Sequence, residues 1–197
     1  MFPKLNRLMR RRLSSLGRLS RPCIARFASD QKGSTTVEAV LILPLLLWAY
    51  VAMFVYFDAF KIQNTNLRAA YTIADMISRQ TNAIDANYVN GLNTVFDYLV
   101  EIDTNTSVRA SSVFWDPVAN VYKVQWSYAT RSMPLLTNAN VNTFASRLPT
   151  IPAGDTLIVL ETWLDYSPAF DLGGLQPRTF KEFIATRPRF VAQVPFV

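Results

Sequence analysis

An uncharged apolar run from Ala39 to Phe57 constrains the fold of this chain more than any other feature. As an α-helix, its nineteen residues would cover about 28 Å, close to the ~30 Å hydrocarbon thickness of a bilayer. A buried core helix is the alternative, but such helices are usually shorter and rarely follow a strongly basic segment. The run therefore predicts a single transmembrane helix.

The basic residues of the chain are concentrated in front of this run. Residues 1–33 contain nine of the twenty Lys and Arg residues and one acidic residue, Asp30, whereas the remainder has a net charge of −2. Basic residues beside a membrane span hold that end in the cytoplasm, and they attract anionic lipid. We therefore predict a basic cytoplasmic leader over residues 1–33 and an exported carboxy-terminal part. A nucleic-acid-binding arm is the competing interpretation, but we expect no nucleic-acid partner.

Cysteine and histidine usage excludes several kinds of site. The single cysteine, Cys23, lies in the leader, so the exported part must fold without an internal disulfide. The chain has no histidine, which removes the commonest general base and the commonest metal ligand. A cleaved secretory signal is also disfavoured, because the leader and the apolar run are both too long and no small-residue cleavage site follows the run.

A short motif, "GSTTVE", places Gly33 five residues before Glu38 at the start of the apolar run. It resembles the cleavage site of type IV prepilins, in which a membrane aspartyl peptidase cuts after the glycine. The resemblance implies that Gly33 ends the leader, that Ser34 becomes the new amino terminus and that Glu38 pairs with the amino terminus of a neighbouring subunit. A lone carboxylate near a bilayer is costly and needs such a partner. Alternatively, Glu38 is a first-turn residue that interacts favourably with the helix dipole.

The longer string "FASDQKGSTTVEAVLILPLLL" is similar to the opening of TadE-like proteins, pseudopilin-like components of the bacterial tight-adherence (Flp) pilus system. The resemblance extends over residues 27–80. It implies a minor pseudopilin or assembly component in the bacterial inner membrane. Its partners would be membrane lipid, other pilus subunits, the inner-membrane assembly platform and prepilin peptidase. The matching positions are Phe27, Asp30, Gly33, Val37, Glu38, Ala39, Leu41, Leu43, Pro44 and Leu46.

Pro44 lies inside the predicted span. Because proline lacks an N–H group and its ring clashes with the preceding turn, we expect a bend near Val40–Leu41. Membrane helices tolerate proline. The bend would either help subunits to pack at an angle or simply be tolerated.

Apolar residues continue at helical spacing beyond the span, so we expect one helix over residues 34–80. Its first half would lie in lipid and its second half would pack on an exported head formed by residues 81–197. This head is predicted to be α+β and pilin-like, with an antiparallel sheet and short additional helices. Its elements are a helix over Asp85–Ile102 capped by Asp85, a hairpin turning at "DPVA", a short helix in "NANVNTFASRLP", a strand in "DTLIVLETWLDYS" and an edge strand or two before Pro188 and Pro195.

Two elements of the head carry specific expectations about their buried faces. Period-two alternation in the second hairpin strand predicts a single apolar face that packs on the long helix, formed by Tyr122, Val124, Trp126 and Tyr128. Helical periodicity in the short helix predicts inward-facing Val141, Phe144, Ala145 and Leu148.

Glu161 and Asp165 are candidates for a catalytic carboxylate pair. They should share one strand face with Leu157, Val159 and Trp163, about 13 Å apart, too far for joint acid–base chemistry. We expect both to face solvent. No nucleotide-binding, hydrolase or metal motif occurs, so we predict no enzyme and no cofactor.

Two functional hypotheses follow. The first is a pseudopilin-like assembly component. The second is a single-pass, membrane-anchored extracytoplasmic binding or sensor protein without prepilin processing.

Overall fold

A computed structural model describes residues 34–101, 105–170 and 174–197 of the chain. The chain divides into two compact units, one ending at Val51 and the other comprising Ala52–Val197, which we call the head. Gly33, Cys23 and the rest of the predicted leader lie outside the described residues.

Two α-helices come first in the chain. Helix α1 (Ser34–Ser78) has no break at Pro44, and the bend there stays a prediction. Helix α2 (Ala86–Val100) is capped by Asp85, whose Oδ1 accepts a 2.7 Å hydrogen bond from the N–H of Tyr88. Both helices occupy the predicted parts of the sequence.

Four antiparallel strands follow, and they form one sheet in the order β2-β1-β3-β4. The strands are β1 (Thr106–Asp116), β2 (Val121–Ala129), β3 (Thr156–Tyr166) and β4 (Arg178–Thr186), with a 3₁₀ helix at Val141–Arg147 between β2 and β3. Asp116 closes the predicted hairpin, since its Oδ1 accepts from the N–H groups of Val118 and Ala119. The α+β class is confirmed, and β4 is an edge strand, as the prolines after it indicated.

The sheet of the head is covered on both faces. One face packs on α2 and on the part of α1 that belongs to the head. Buried members of this larger core include Val55, Ala70, Ile73, Ile77, Val89, Phe96, Val108, Leu160 and Ile184. The segment over residues 133–151 covers the opposite face. This smaller core contains Val113, Tyr122, Leu136, Val141, Leu148, Ile151, Leu157 and Val159.

The last residues of the chain return to the larger core. The indole N–H of Trp126 donates to the carbonyl of Val194 at 2.8 Å, and Phe196 stacks on Trp126 with ring centroids 5.2 Å apart. The N–H of Ile84 donates to the carbonyl of Pro195, and the N–H of Val197 donates to the carbonyl of Ile84. These two bonds form an isolated parallel bridge between Ile84 and Phe196. These contacts hold the carboxy-terminal segment against β2 and the start of α2.

The expected single aromatic face of β2 is wrong. The pairing with β1 shifts register between Ser112 and Val113, so Ser112 pairs with Trp126 and Val113 with Val124. The extra residue, Gln125, is a β-bulge, and a bulge reverses the alternation of the residues beyond it. Tyr122 and Val124 therefore join the smaller core, while Trp126 and Tyr128 pack against the larger one.

The predicted inward position of Ala145 is also wrong. Val141 and Leu148 are buried and Phe144 is half-buried, but Ala145 is exposed. The segment is a 3₁₀ helix, in which residues three apart are eclipsed. Val141, Phe144 and Arg147 therefore share one side of the helix, and Ala145 lies away from it.

Candidate functional site

The first candidate site is the amino-terminal part of α1, and its apolar side chains lie open to the surroundings. The helix is long and apolar enough to cross a membrane, and only 6% of its most apolar stretch is buried. In water this surface would be strongly unfavourable, at roughly 25 cal/mol for each Å². The exposed large side chains of the first unit are Val37, Val40, Leu41, Ile42, Leu43, Leu45, Leu46, Leu47, Trp48 and Tyr50.

Glu38 lies at the beginning of one face of this helix. A shallow groove there is lined by Thr35, Glu38, Ala39, Ile42, Leu43 and Leu46. These positions recur at helical spacing, so a threonine and a carboxylate precede a row of apolar side chains of which only Ala39 is small. Such a face suits packing against another helix in a bilayer, with Ala39 as the point of close approach.

The structure locates the remaining processing residues only in part. Ser34 is the first residue of α1, and Glu38 lies one turn further on. Gly33 lies outside the described residues, so the cleavage site and the role of Glu38 in subunit pairing stay predictions. Pro44 lies on the same helix, less than two turns after Glu38.

A second candidate site lies on the sheet face that carries the smaller core, and it corrects the expectation for Glu161. Glu161 is 6% exposed and forms an ion pair with Arg109, which is 5% exposed. Arg109 Nε donates to Glu161 Oε2 at 2.7 Å, and its Nη1 donates to the carbonyl of Pro134 at 2.6 Å. Glu161 is therefore held by the cation opposite it in β1, and it does not face solvent.

Asp165 is on the same face of β3 but is exposed, as predicted. It accepts a 2.7 Å hydrogen bond from the hydroxyl of Thr179 on β4. Nothing in the described part of the chain brings Asp165 to the Arg109–Glu161 pair. The same residues contain no cluster of three or more metal-ligating side chains.

Beside the buried pair the structure has a cavity of about 400 Å³. The guanidinium of Arg109 lies 5.2 Å from the ring centre of Trp163, and the guanidinium of Arg147 lies 4.2 Å from that of Phe183. The cavity thus combines aromatic walls with cationic groups, and sequence analysis missed it. Its lining residues are Arg109, Met133, Pro134, Phe144, Arg147, Glu161, Trp163, Lys181, Glu182 and Phe183.

Two cations of this cavity have no carboxylate partner among the described residues, namely Arg147 and Lys181. Arg147 lies close enough to Glu182 to lower the pKa of that carboxyl, but forms no ion pair with it. The dominant influence on Glu182 is burial, which raises its pKa. The cavity therefore presents two cationic groups that are available to a ligand.

A polar cluster lies between α1 and the sheet, on the sheet face opposite the cavity. Asn66 is fully buried, and within the described ranges neither polar atom of its amide has a hydrogen-bond partner, nor does the hydroxyl of Thr162. Glu182 pairs with Thr162 in the sheet, and the proximity of Asn66 lowers its pKa without reversing the effect of burial. The amide is therefore near the carboxyl but not in hydrogen-bond geometry.

The hydroxyl of Tyr166 connects the end of β3 to α1. It donates to Asp58 Oδ2 at 3.2 Å. Burial raises the pKa of Tyr166, and the nearby carboxylate of Asp58 raises it further. This bond fixes the end of the sheet to the helix residues that directly follow the apolar run.

Comparison of the chain with protein-family models, with curated proteins and with solved structures finds no match.

Proposed function

We propose that this chain is a minor pseudopilin-like structural or assembly component of a tight-adherence (Flp) pilus or a related secretion system. The observation that supports it best is the start of α1, where Glu38 begins an apolar face on a helix whose large side chains are exposed. A membrane-spanning helix needs an apolar surface of this kind. The exported α+β head would then supply protein contacts outside the bilayer.

The topology we propose follows from the charge distribution. The basic leader stays in the cytoplasm, α1 crosses the bacterial inner membrane once, and the head lies on the extracytoplasmic side. The cations and aromatics beside the cavity of the head are arranged for packing and binding, so we propose no catalytic role. The cavity beside Arg109 and Glu161 favours the second candidate, a membrane-anchored binding protein whose leader is not cleaved.

Amino-terminal sequencing of the protein purified from membranes tests the proposal. We expect the mature chain to begin at Ser34 when a prepilin peptidase is co-expressed. The variant Gly33→Leu should keep its leader, because a bulky side chain blocks entry of an extended chain into the peptidase cleft. Gly17→Leu, a matched change within the leader, should be processed normally. An intact leader on the wild-type chain under these conditions would favour the anchored binding protein instead.

A further inference from the structure

The two edges of the sheet differ in how their backbone groups are satisfied. An edge strand directs every second N–H and C=O away from the sheet, where they are free to pair with another chain. On β2, Asn142 bonds to both the N–H and the C=O of Tyr122 at 2.9 and 3.1 Å, and Asn138 accepts from the N–H of Val124 at 2.7 Å. Side chains therefore occupy the first half of this edge, at Tyr122 and Val124.

In the part of the chain that the structure describes, the β4 edge has no such cover. The described residues make no hydrogen bond to a backbone group of β4 other than its pairing with β3. Arg178, Thr179 and Lys181 on this strand are exposed. The outward backbone groups of β4 are thus available to an additional strand.

The cationic cavity adjoins the same strand. Lys181 lies opposite Trp163, and Phe183 lies opposite Glu161, in the β3–β4 pairing. Arg147 covers the ring of Phe183, and the ring of Phe144 stacks on it with centroids 5.4 Å apart. A strand added beside β4 would therefore direct alternate side chains toward Arg147 and Lys181.

We propose that the β4 edge and this cavity together bind an extended acidic segment of a partner protein by strand addition. Main-chain hydrogen bonds to β4 would provide the pairing, and carboxylates on alternate residues would approach Arg147 and Lys181. The cavity favours an acidic partner, because Arg109 neutralises Glu161 and the two remaining cations outnumber Glu182, the other carboxylate in the lining. This inference names the kind of partner that the exported head takes, and in that respect it rests on the proposed function.

The test uses the full-length protein in detergent micelles and a fluorescent eight-residue peptide of alternating threonine and glutamate. We expect the peptide to bind, as measured by fluorescence anisotropy, and the matching threonine–lysine peptide not to bind. Lys181→Glu and Arg147→Glu should each weaken binding by about tenfold or more, as for loss of a charge-assisted hydrogen bond. Arg68→Glu, an exposed charge reversal on α1, should leave binding unchanged.

Backbone methylation distinguishes strand addition from simple charge attraction. One peptide is N-methylated at its glutamates and another at its threonines. In a strand only one of these two sets directs its N–H groups toward β4. One methylated peptide should therefore lose binding and the other should keep it.

Several results would overturn the proposal. These are failure of the glutamate peptide to bind at millimolar concentration, equal binding by the Lys181→Glu variant, and equal binding by both methylated peptides. Self-association of the wild-type protein in sedimentation that the Lys181→Glu change abolishes would identify a second copy as the occupant instead. Because Lys181 is exposed, its variant should fold even if the Arg147 variant does not. None of these measurements depends on cleavage after Gly33, so they fail or succeed separately from the proposed function.

Discussion

Arg109 on β1 and Glu161 on β3 lie directly opposite each other in the sheet, and their side chains form an ion pair that solvent barely reaches. A buried pair of this kind contributes little net stability, but either partner alone is a buried charge without compensation. The pair also ties the segment around Pro134 to the sheet, through the hydrogen bond from Arg109.

Removal of one partner should therefore destabilise the head strongly. We expect Glu161→Gln to lower the free energy of unfolding by about 3–5 kcal/mol. The double variant Arg109→Met/Glu161→Leu should recover most of that loss, because it leaves no unpaired charge. Denaturant titration followed by tryptophan fluorescence measures the unfolding free energy of the single and the double variant. Asp165→Asn on the same strand face is the control, with a loss below about 1 kcal/mol; equal losses for the two single variants would contradict the role of burial.

Tyr166 and Tyr88 make the head sensitive to alkali. Burial raises the pKa of both phenols above the ordinary value of 10.0. The folded state therefore retains these protons more strongly than the unfolded state, and this contribution is present below pH 10 and lost as the pH rises through the folded-state pKa. We expect the unfolding free energy to fall above pH 10. The double variant Tyr88→Phe/Tyr166→Phe should flatten that fall, and an unchanged alkaline slope would show that other groups cause it.

Glu182 should show a pH dependence of the same sign, but at lower pH. Burial raises its pKa above the ordinary 4.5, so its contribution to stability is present below about that pH and lost as the pH rises through the folded value. Glu182→Gln, which is neutral at every pH, should stabilise the head at pH 7 and give little benefit at pH 4. Denaturant midpoints at the two pH values measure this. A benefit of the same size at both would mean that packing, rather than charge, is responsible.

The carboxy-terminal segment should stabilise the head through Phe196. This half-buried ring stacks on Trp126 and on Tyr128, 5.7 Å from the latter. Phe196→Ala should cost roughly 2 kcal/mol, less than for a fully buried phenylalanine. Hydrogen exchange should then be faster at Ile84 and Val197, whose backbones bond to each other. Val197→Ala, at an exposed side chain, should change neither quantity.

The apolar part of α1 should hold the protein in the membrane. Each arginine placed in a span costs roughly 3 kcal/mol of insertion free energy. Leu43→Arg/Leu47→Arg should therefore increase the fraction released by alkaline carbonate, whereas Gln63→Arg, at an exposed polar position of the head, should not. Release of the wild-type protein under the same conditions would refute the membrane assignment itself.

The local elements of the fold were predictable because their signals lie within a few residues of each other. Asp85 caps α2 through Tyr88, three residues away, and Asp116 closes the hairpin through Val118 and Ala119. The faces of β3 followed from strict alternation, which no bulge interrupts. The α+β class could be derived from these short-range patterns alone.

The candidate site on the sheet could not be predicted, because it depends on strand register. Arg109 and Glu161 are 52 residues apart in sequence, and only the pairing of β1 with β3 brings them together. The bulge at Gln125 has no glycine to mark it, so alternation placed Trp126 on the wrong face. The one available signal for the burial of Glu161 was its position midway along a strand that is mostly apolar.

The two asparagines along β2 also limit how many neighbours the head can have. Because these side chains occupy the backbone groups of Tyr122 and Val124, a strand would add more readily at β4 than at β2. Pairing through the sheet therefore favours one added strand for each head, and a long polymer that contains the chain would extend more readily through α1.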